Sequence, residues 1–194
     1  GVWKTTDAGR TWAPIFDHEA VSTTGELAIF AGNTNILWVG TGEQNNRQSS
    51  SWGNGVYRST DAGKTWTHLG LTVTAAIAKI RLHPTDPNVA WVAAAGNLWK
   101  SGPDRGVYKT TDAGRTWTKA LYINEHTGAT DLVVDPGDAN TLYAATYQRL
   151  RTPWGYNGCG PGSAIHKSTD GGATWRTLTN GIPEGDKGRI GLAI

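Results

Sequence analysis

Ser59-Thr60-Asp61-Ala62-Gly63-Lys64-Thr65-Trp66 recurs almost unchanged at three other places in this chain: Thr5 to Trp12, Thr110 to Trp117 and Ser168 to Trp175. The aspartates Asp7, Asp61, Asp112 and Asp170 stand 54, 51 and 58 residues apart. A period near fifty residues marks a repeated supersecondary unit, as in a solenoid, a propeller or an array.

The residue types give the octapeptide a mechanical role. An aspartate can accept hydrogen bonds from backbone N–H groups a few residues on and so forms turns. Gly9, Gly63, Gly114 and Gly172 follow two residues later, where a positive φ is tolerated. Trp12, Trp66, Trp117 and Trp175 end the motif with a side chain large enough to cover the turn, and an indole N–H usually finds an acceptor. Four equivalent copies cannot all be active sites, so Asp7, Asp61, Asp112 and Asp170 read as structural.

A second block repeats with the same period. Glu26-Leu27-Ala28-Ile29 leads to Trp38, Lys79-Ile80-Arg81-Leu82 leads to Trp91, and Asp131-Leu132-Val133-Val134 leads to Tyr143. Each is two short β-prone runs around a Pro, Gly, Asn and Asp turn, which is a hairpin pattern. A third run enters each octapeptide and a fourth leaves it. Four antiparallel strands per repeat, with no helical periodicity, fit the blade of an all-β propeller. A solenoid stays open as the alternative, although β-helices have much shorter repeats. Residues 26–78, 79–130 and 131–188 are each expected to form a blade, 1–25 to end one and 189–194 to begin another. With strands lettered A to D from the axis outward, A–B turns and octapeptide turns share one face, and the long B–C and D–A loops share the other.

The pattern Ser/Thr-x-Asp-x-Gly-x-x-Trp resembles the Asp box of the bacterial-neuraminidase-repeat propellers. With GVYKTTDAGRTW preceded by the HPTDPNVAWVAA strand pair, the repeat is most similar to the sortilin-type and xyloglucanase-type branches. The resemblance spans essentially the whole chain and implies an arc of β-propeller blades. It carries less about chemistry, because one fold hosts enzymes, receptors and binding modules alike.

Composition narrows the function classes. Net charge is +2 with Lys and Arg scattered, so nucleic acid is not an expected partner. No apolar run approaches the length of a membrane span, so no membrane insertion is expected. Cys159 is the lone cysteine and sits in a Gly/Pro loop with no basic neighbour to activate it. No His/Cys spacing suggests a metal, and no Gly-rich phosphate loop opens a helix, so neither metal nor cofactor is expected. The chain opens inside a repeat at Gly1-Val2-Trp3-Lys4 and reads as part of a longer protein, completed by further blades from the same or another chain.

The loop face holds the candidate site. Arg47, Arg105, Arg149 and Arg151 are suited to a carboxylate or sulfate ligand, and Trp52, Trp99, Trp154 and Tyr156 to stacking on a sugar or peptide. The stretch from Gln148 to Tyr156 concentrates Arg149, Arg151, Trp154 and Tyr156 and is expected to be its centre. The alternative is that these residues brace long loops. A glycosidase needs two carboxyls about 5 to 9.5 Å apart; the candidates near the channel mouth are Glu26, Glu43, Glu125 and Asp131. Three functions are carried forward in order: a non-catalytic module, extracellular or periplasmic, binding glycan or protein; a glycoside hydrolase of xyloglucanase-like or sialidase-like type; and a structural or assembly subunit.

Overall fold

The computed structural model describes all of Gly1–Ile194. Strands β1 (Trp3–Lys4) and β2 (Ala13–Pro14) pair as a short ribbon. A four-stranded antiparallel sheet follows, made of β3 (Thr24–Ile29), β4 (Leu37–Thr41), β5 (Val56–Ser59) and β6 (Thr67–His68). The next is β7 (Ile77–Leu82), β8 (Ala90–Ala94), β9 (Gly106–Thr110) and β10 (Thr118–Leu121). In the last, β11 (Thr127–Asp135) and β12 (Asp138–Gln148) precede a separate hairpin, β13 (Leu150–Thr152) with β14 (Gly155–Asn157), before β15 (Ile165–Ser168) and β16 (Arg176–Thr177) close the sheet. The only helical residues are a 3-10 turn at Thr72–Thr74. Each sheet is a propeller blade, and the chain is an arc of three blades with the outer ribbon of a fourth.

Inner strands begin earlier than the aligned repeats suggest, at Thr24, Ile77 and Thr127 in place of Glu26, Lys79 and Asp131. The cause is a β-bulge at the same place in each: between Thr24 and Glu26, Ile77 and Lys79, and Ala129 and Asp131. A bulge re-aims the residue after it, and the residue after it here is always charged. These three charged positions therefore share one register along the innermost strands.

The core lies between blades, not within them. Phe30, Ile36, Trp38 and Val56 pack with Ile77, Ile80, Val92 and Tyr108 across the first seam. Ala78, Trp91, Val107 and Leu121 pack with Leu132 and Leu142 across the second. A flat sheet has two apolar faces, and stacking each blade on the next buries both.

The octapeptide turns repeat atom for atom. In the copy at Asp61, Oδ1 accepts from Ser59 Oγ at 2.8 Å and Thr65 N at 2.9 Å, and Oδ2 accepts from Thr65 Oγ1 at 2.6 Å. Ser59 Oγ in turn accepts from Gly63 N at 2.8 Å. Both Gly63 and the residue before it are left-handed, with φ +86° at Gly63 and +60° at Ala62. The sequence pattern shows the first of these and not the second, since Ala8, Ala62 and Ala113 hold a conformation that a β-carbon disfavours. The fourth copy has Gly171 there, at φ +67°.

That left-handed residue ties blades together. Its N–H donates to the A–B turn of its own blade, Ala62 to Asn35 O, Ala113 to Asn88 O and Gly171 to Asn140 O, each at 2.9 Å. Its carbonyl faces the preceding blade, where Lys4 Nζ reaches Ala62 O at 3.0 Å and Lys109 Nζ reaches Gly171 O at 2.7 Å. Trp91 Nε1 donates to the same Gly171 carbonyl at 2.9 Å. Trp66 and Trp117 also reach back a blade, to Ile15 O at 2.6 Å and Leu69 O at 2.7 Å, where cover of the local turn alone would be the simpler reading of the motif. Asp61→Ala should therefore lower the denaturant midpoint, and Asp61→Asn should lower it less because one oxygen acceptor stays. An unchanged midpoint for Asp61→Ala would show that the turn is held by its backbone alone.

Candidate functional site

The B–C loops and D–A connections meet on the face opposite the octapeptide turns. They are stitched in sequence, Gly53 N to Ala75 O at 2.8 Å, Gly102 N to Glu125 O at 2.9 Å and Gly160 N to Lys187 O at 3.2 Å. Between the first two lies a cleft of about 360 Å³ lined by Trp52, Val73, Asn97, Lys100, Asp104 and Arg105. Trp52 stands 64% exposed on its wall.

The four arginines separate into two kinds. Arg105 and Arg149 are each 1% exposed. Arg105 donates to Ala95 O, Asn97 O and Lys100 O at 3.4, 2.5 and 2.6 Å, tying its loop into a knot. Gly96 makes room for this, because a β-carbon there would lie 2.4 Å from Arg105 Cγ. Arg149 donates to Gln44 O at 2.6 Å, Asn46 Oδ1 at 2.7 Å and Gly96 O at 3.3 Å, so it joins the loops of all three blades. Burial holds both guanidiniums below their ordinary range, Arg149 down to about 10, with further repulsion on Arg149 from Arg105. Both are expected from the sequence to face a ligand; instead their guanidiniums are enclosed and engaged with backbone and amide acceptors, Arg149 wholly so, whereas Arg105 still forms part of the cleft wall. Sequence spacing does not tell a buried arginine from an exposed one.

Arg47 and Arg151 keep surface. Arg47 pairs with Glu43 and remains 62% exposed. Arg151 donates to Asn46 O at 3.1 Å and lies 4.9 Å over the ring of Tyr156. Trp154 is at the tip of the β13–β14 hairpin, 87% exposed, so it fills no seam within the arc. The Tyr156 hydroxyl is 2.5 Å from that of Tyr147, and Asn46 Nδ2 donates to Tyr147 at 3.1 Å. Burial, then the hydrogen bond to Tyr147, raises the Tyr156 phenol above its ordinary range. Gln44, Asn46, Tyr147 and Arg189 thus belong to this centre, although no local motif marks them for it. They come together because the 43–47 loop of one blade crosses to a blade two repeats on.

Each candidate carboxylate already has partners. Glu26 sits between Lys79 at 3.4 Å and Arg81 at 3.1 Å. Asp131 accepts from the N–H groups of Leu132 and Leu192, both at 2.9 Å. Glu43 holds Arg47 and accepts from Ser51 N at 3.2 Å. Glu125 is exposed, 3.5 Å from His126. Glu26 and Asp131 occupy one register but on blades separated by a third.

Residues 54–184 match the family Sortilin-Vps10, described as "Sortilin, neurotensin receptor 3". A xyloglucanase of Acetivibrio thermocellus is 24% identical over 205 residues, an alignment covering 92% of this chain and 22% of that protein. The crystal structure of a GH74 xyloglucanase from Xanthomonas campestris superposes with a TM-score of 0.61 at 18% identity, over 93% of this chain and 27% of its own. A GH74 enzyme of Niastella koreensis gives 0.60 at 22% identity, over 92% and 26%. The chain therefore spans about a fifth to a quarter of the length of these relatives, and the structural likeness is one of fold. No helix of the chain is long and apolar enough to cross a membrane.

Proposed function

The chain belongs to the Sortilin-Vps10 family, and from that premise we propose that residues 1–194 form a non-catalytic part of a β-propeller that binds a glycan or protein on its loop face. The observation that carries the reading is the contrast between the two sets of candidates. Glu26, Glu43 and Asp131 are held by cations or backbone N–H groups, whereas Trp154, Trp52 and Tyr156 present 87%, 64% and 40% of their surface, Trp52 on a cleft wall shared with Lys100 and Tyr156 under Arg151. An exposed indole next to arginine is the composition of an interaction hot spot. An extracellular or periplasmic setting is part of the proposal.

The second reading is a glycoside hydrolase, favoured by the likeness to a xyloglucanase. In that case this arc supplies binding surface and the catalytic carboxylates lie in the rest of the protein, since the match covers 22% of the enzyme. Product analysis on xyloglucan with the full protein separates the two readings. For the binding site itself, Trp154→Ala and Arg151→Ala should each weaken ligand binding by more than about 1 kcal/mol, roughly fivefold, measured by calorimetry against a glycan panel. Thermal midpoints should stay within a degree or two for Trp154→Ala. A fall in midpoint with affinity untouched would make the hairpin a brace and leave an assembly role as the better reading.

A further inference from the structure

Three guanidiniums converge on one short segment of the loop face. Arg149 reaches Gln44 O and Asn46 Oδ1, Arg151 reaches Asn46 O, and Arg189 reaches Gln44 Oε1 at 2.9 Å. All of these acceptors are neutral. None of the ion pairs in the chain includes Arg149, Arg151 or Arg189. The one carboxylate on the segment's flank, Glu43, is engaged by Arg47 and the Ser51 amide.

Bracing alone does not call for this arrangement. Arg105 shows what a brace looks like here, one buried guanidinium closing its own loop onto three carbonyls. At the 44–46 segment two more cations are added, and like charges at short range repel most where water is excluded. Arg149 is 1% exposed, and its Nε has no partner. Arg189 is exposed and Arg151 half-buried, each with donors left over. Tyr156, 40% exposed, has its ring beneath Arg151 and its hydroxyl against Tyr147.

We propose that this centre binds a carboxylate carried on a sugar, that is, a glycan containing hexuronic acid residues, with Arg151 and Arg189 as the groups that touch it. The inference rests on the loop-face binding reading above and specifies its ligand. Guanidinium N–H pairs match the two oxygens of a carboxylate side by side. Arg149 lies behind them, too enclosed to make contact, and contributes its charge. The pyranose ring then has Tyr156, whose ring lies under Arg151, as a flat apolar neighbour. A sugar is favoured over an acidic peptide because a partly exposed aromatic ring borders the charged centre, and a flexible acidic side chain has no use for it.

The test is calorimetric titration of the full chain with oligogalacturonate, with the same oligosaccharide after methyl esterification, and with a neutral cello-oligosaccharide. Oligogalacturonate should bind at least tenfold more tightly than its ester, and the difference should shrink as salt is raised from about 50 to 300 mM. Arg189→Ala is on the surface and leaves the core intact; it should lower affinity for the acid severalfold and leave the ester unchanged. Arg151→Lys should recover part of what Arg151→Ala loses. Equal binding of acid and ester overturns the carboxylate assignment while leaving the glycan-binding reading in place. Preference for a sulfated glycan or for a polyglutamate peptide over oligogalacturonate overturns it in favour of those ligands. Absence of binding to every glycan overturns both.

Discussion

Replacing Trp91 by alanine should lower the stability of the chain by about 3 to 5 kcal/mol, the range for truncating a fully buried aromatic. Trp91 is 1% exposed and packs in the seam between the second and third blades. Its loss removes apolar contact, opens a cavity bounded by two sheets, and takes one of two donors from the Gly171 carbonyl. Trp91→Phe keeps most of the packing and loses the hydrogen bond, so it should cost nearer to 1 kcal/mol. The comparison to make is with Trp12→Ala, whose side chain is 58% exposed and donates only to its own turn. Denaturant unfolding in which Trp91→Ala and Trp12→Ala are equally mild would show that the seam does not carry the fold.

Lowering the pH from 7 to 4 should remove about 3 kcal/mol through a single side chain, His166. Its ring is 4% exposed, with Nε2 against Thr146 Oγ1 at 3.0 Å and Nδ1 against Thr177 Oγ1 at 3.1 Å. Burial disfavours the imidazolium and holds the folded pKa down to about 4, from an ordinary 6.5. Between those values the unfolded chain takes up the proton and the folded chain does not, so stability falls as pH falls through this window. Below it a second loss sets in with the opposite kind of group. Hydrogen bonds from the Thr65 hydroxyl and N–H hold the Asp61 carboxyl below its usual range, and those from the Thr116 N–H and hydroxyl hold Asp112 down to about 2. Their contribution is present above the ordinary carboxylate pKa and disappears as pH falls toward the folded one. Midpoints measured at pH 7, 5 and 4 should decline in the wild type and hardly at all in His166→Gln. Parallel curves for the two proteins would remove His166 as the cause.

Much of the fold could be read from two coincident periods, because turn chemistry is local and repeats. Asp, the Gly two residues on and the Ser or Thr two residues before make their hydrogen bonds within five positions of one another, and spacing alone exposes them. The aromatic at Trp38, Trp91 and Tyr143 was visible for the same reason. Its partner was harder to see: Arg58, Lys109 and Lys167 lie opposite these rings on the next strand, with cation-to-centroid distances of 5.5, 5.5 and 5.0 Å. The site was less legible. Arg149 and Asn46 are 103 residues apart in sequence, and their meeting follows from how far one loop crosses the arc, a length that no local pattern encodes. The depth of Arg105 and Arg149 was hidden for a similar reason, since both sit in loops whose composition resembles solvent-exposed chain.

The tie between blades has an asymmetry that bears on how such a repeat can drift. The acceptor, at Ala62 and Gly171, is a main-chain carbonyl, so replacing that residue's side chain cannot abolish it, and alanine and glycine interchange there among the four copies. The donor is a side chain and has no such immunity. Where lysine is replaced by Arg58, the guanidinium sits over Trp38, and both Arg58 Nε and Trp38 Nε1 are left without a partner. Arginine and lysine are poor substitutes where geometry is fixed. This seam keeps the stacked cation found at Lys109 and Lys167 and the Trp117 hydrogen bond to Leu69 O but lacks the donors to the turn carbonyl, while the apolar packing holds the blades in place, so that duplicated units can diverge one contact at a time without coming apart.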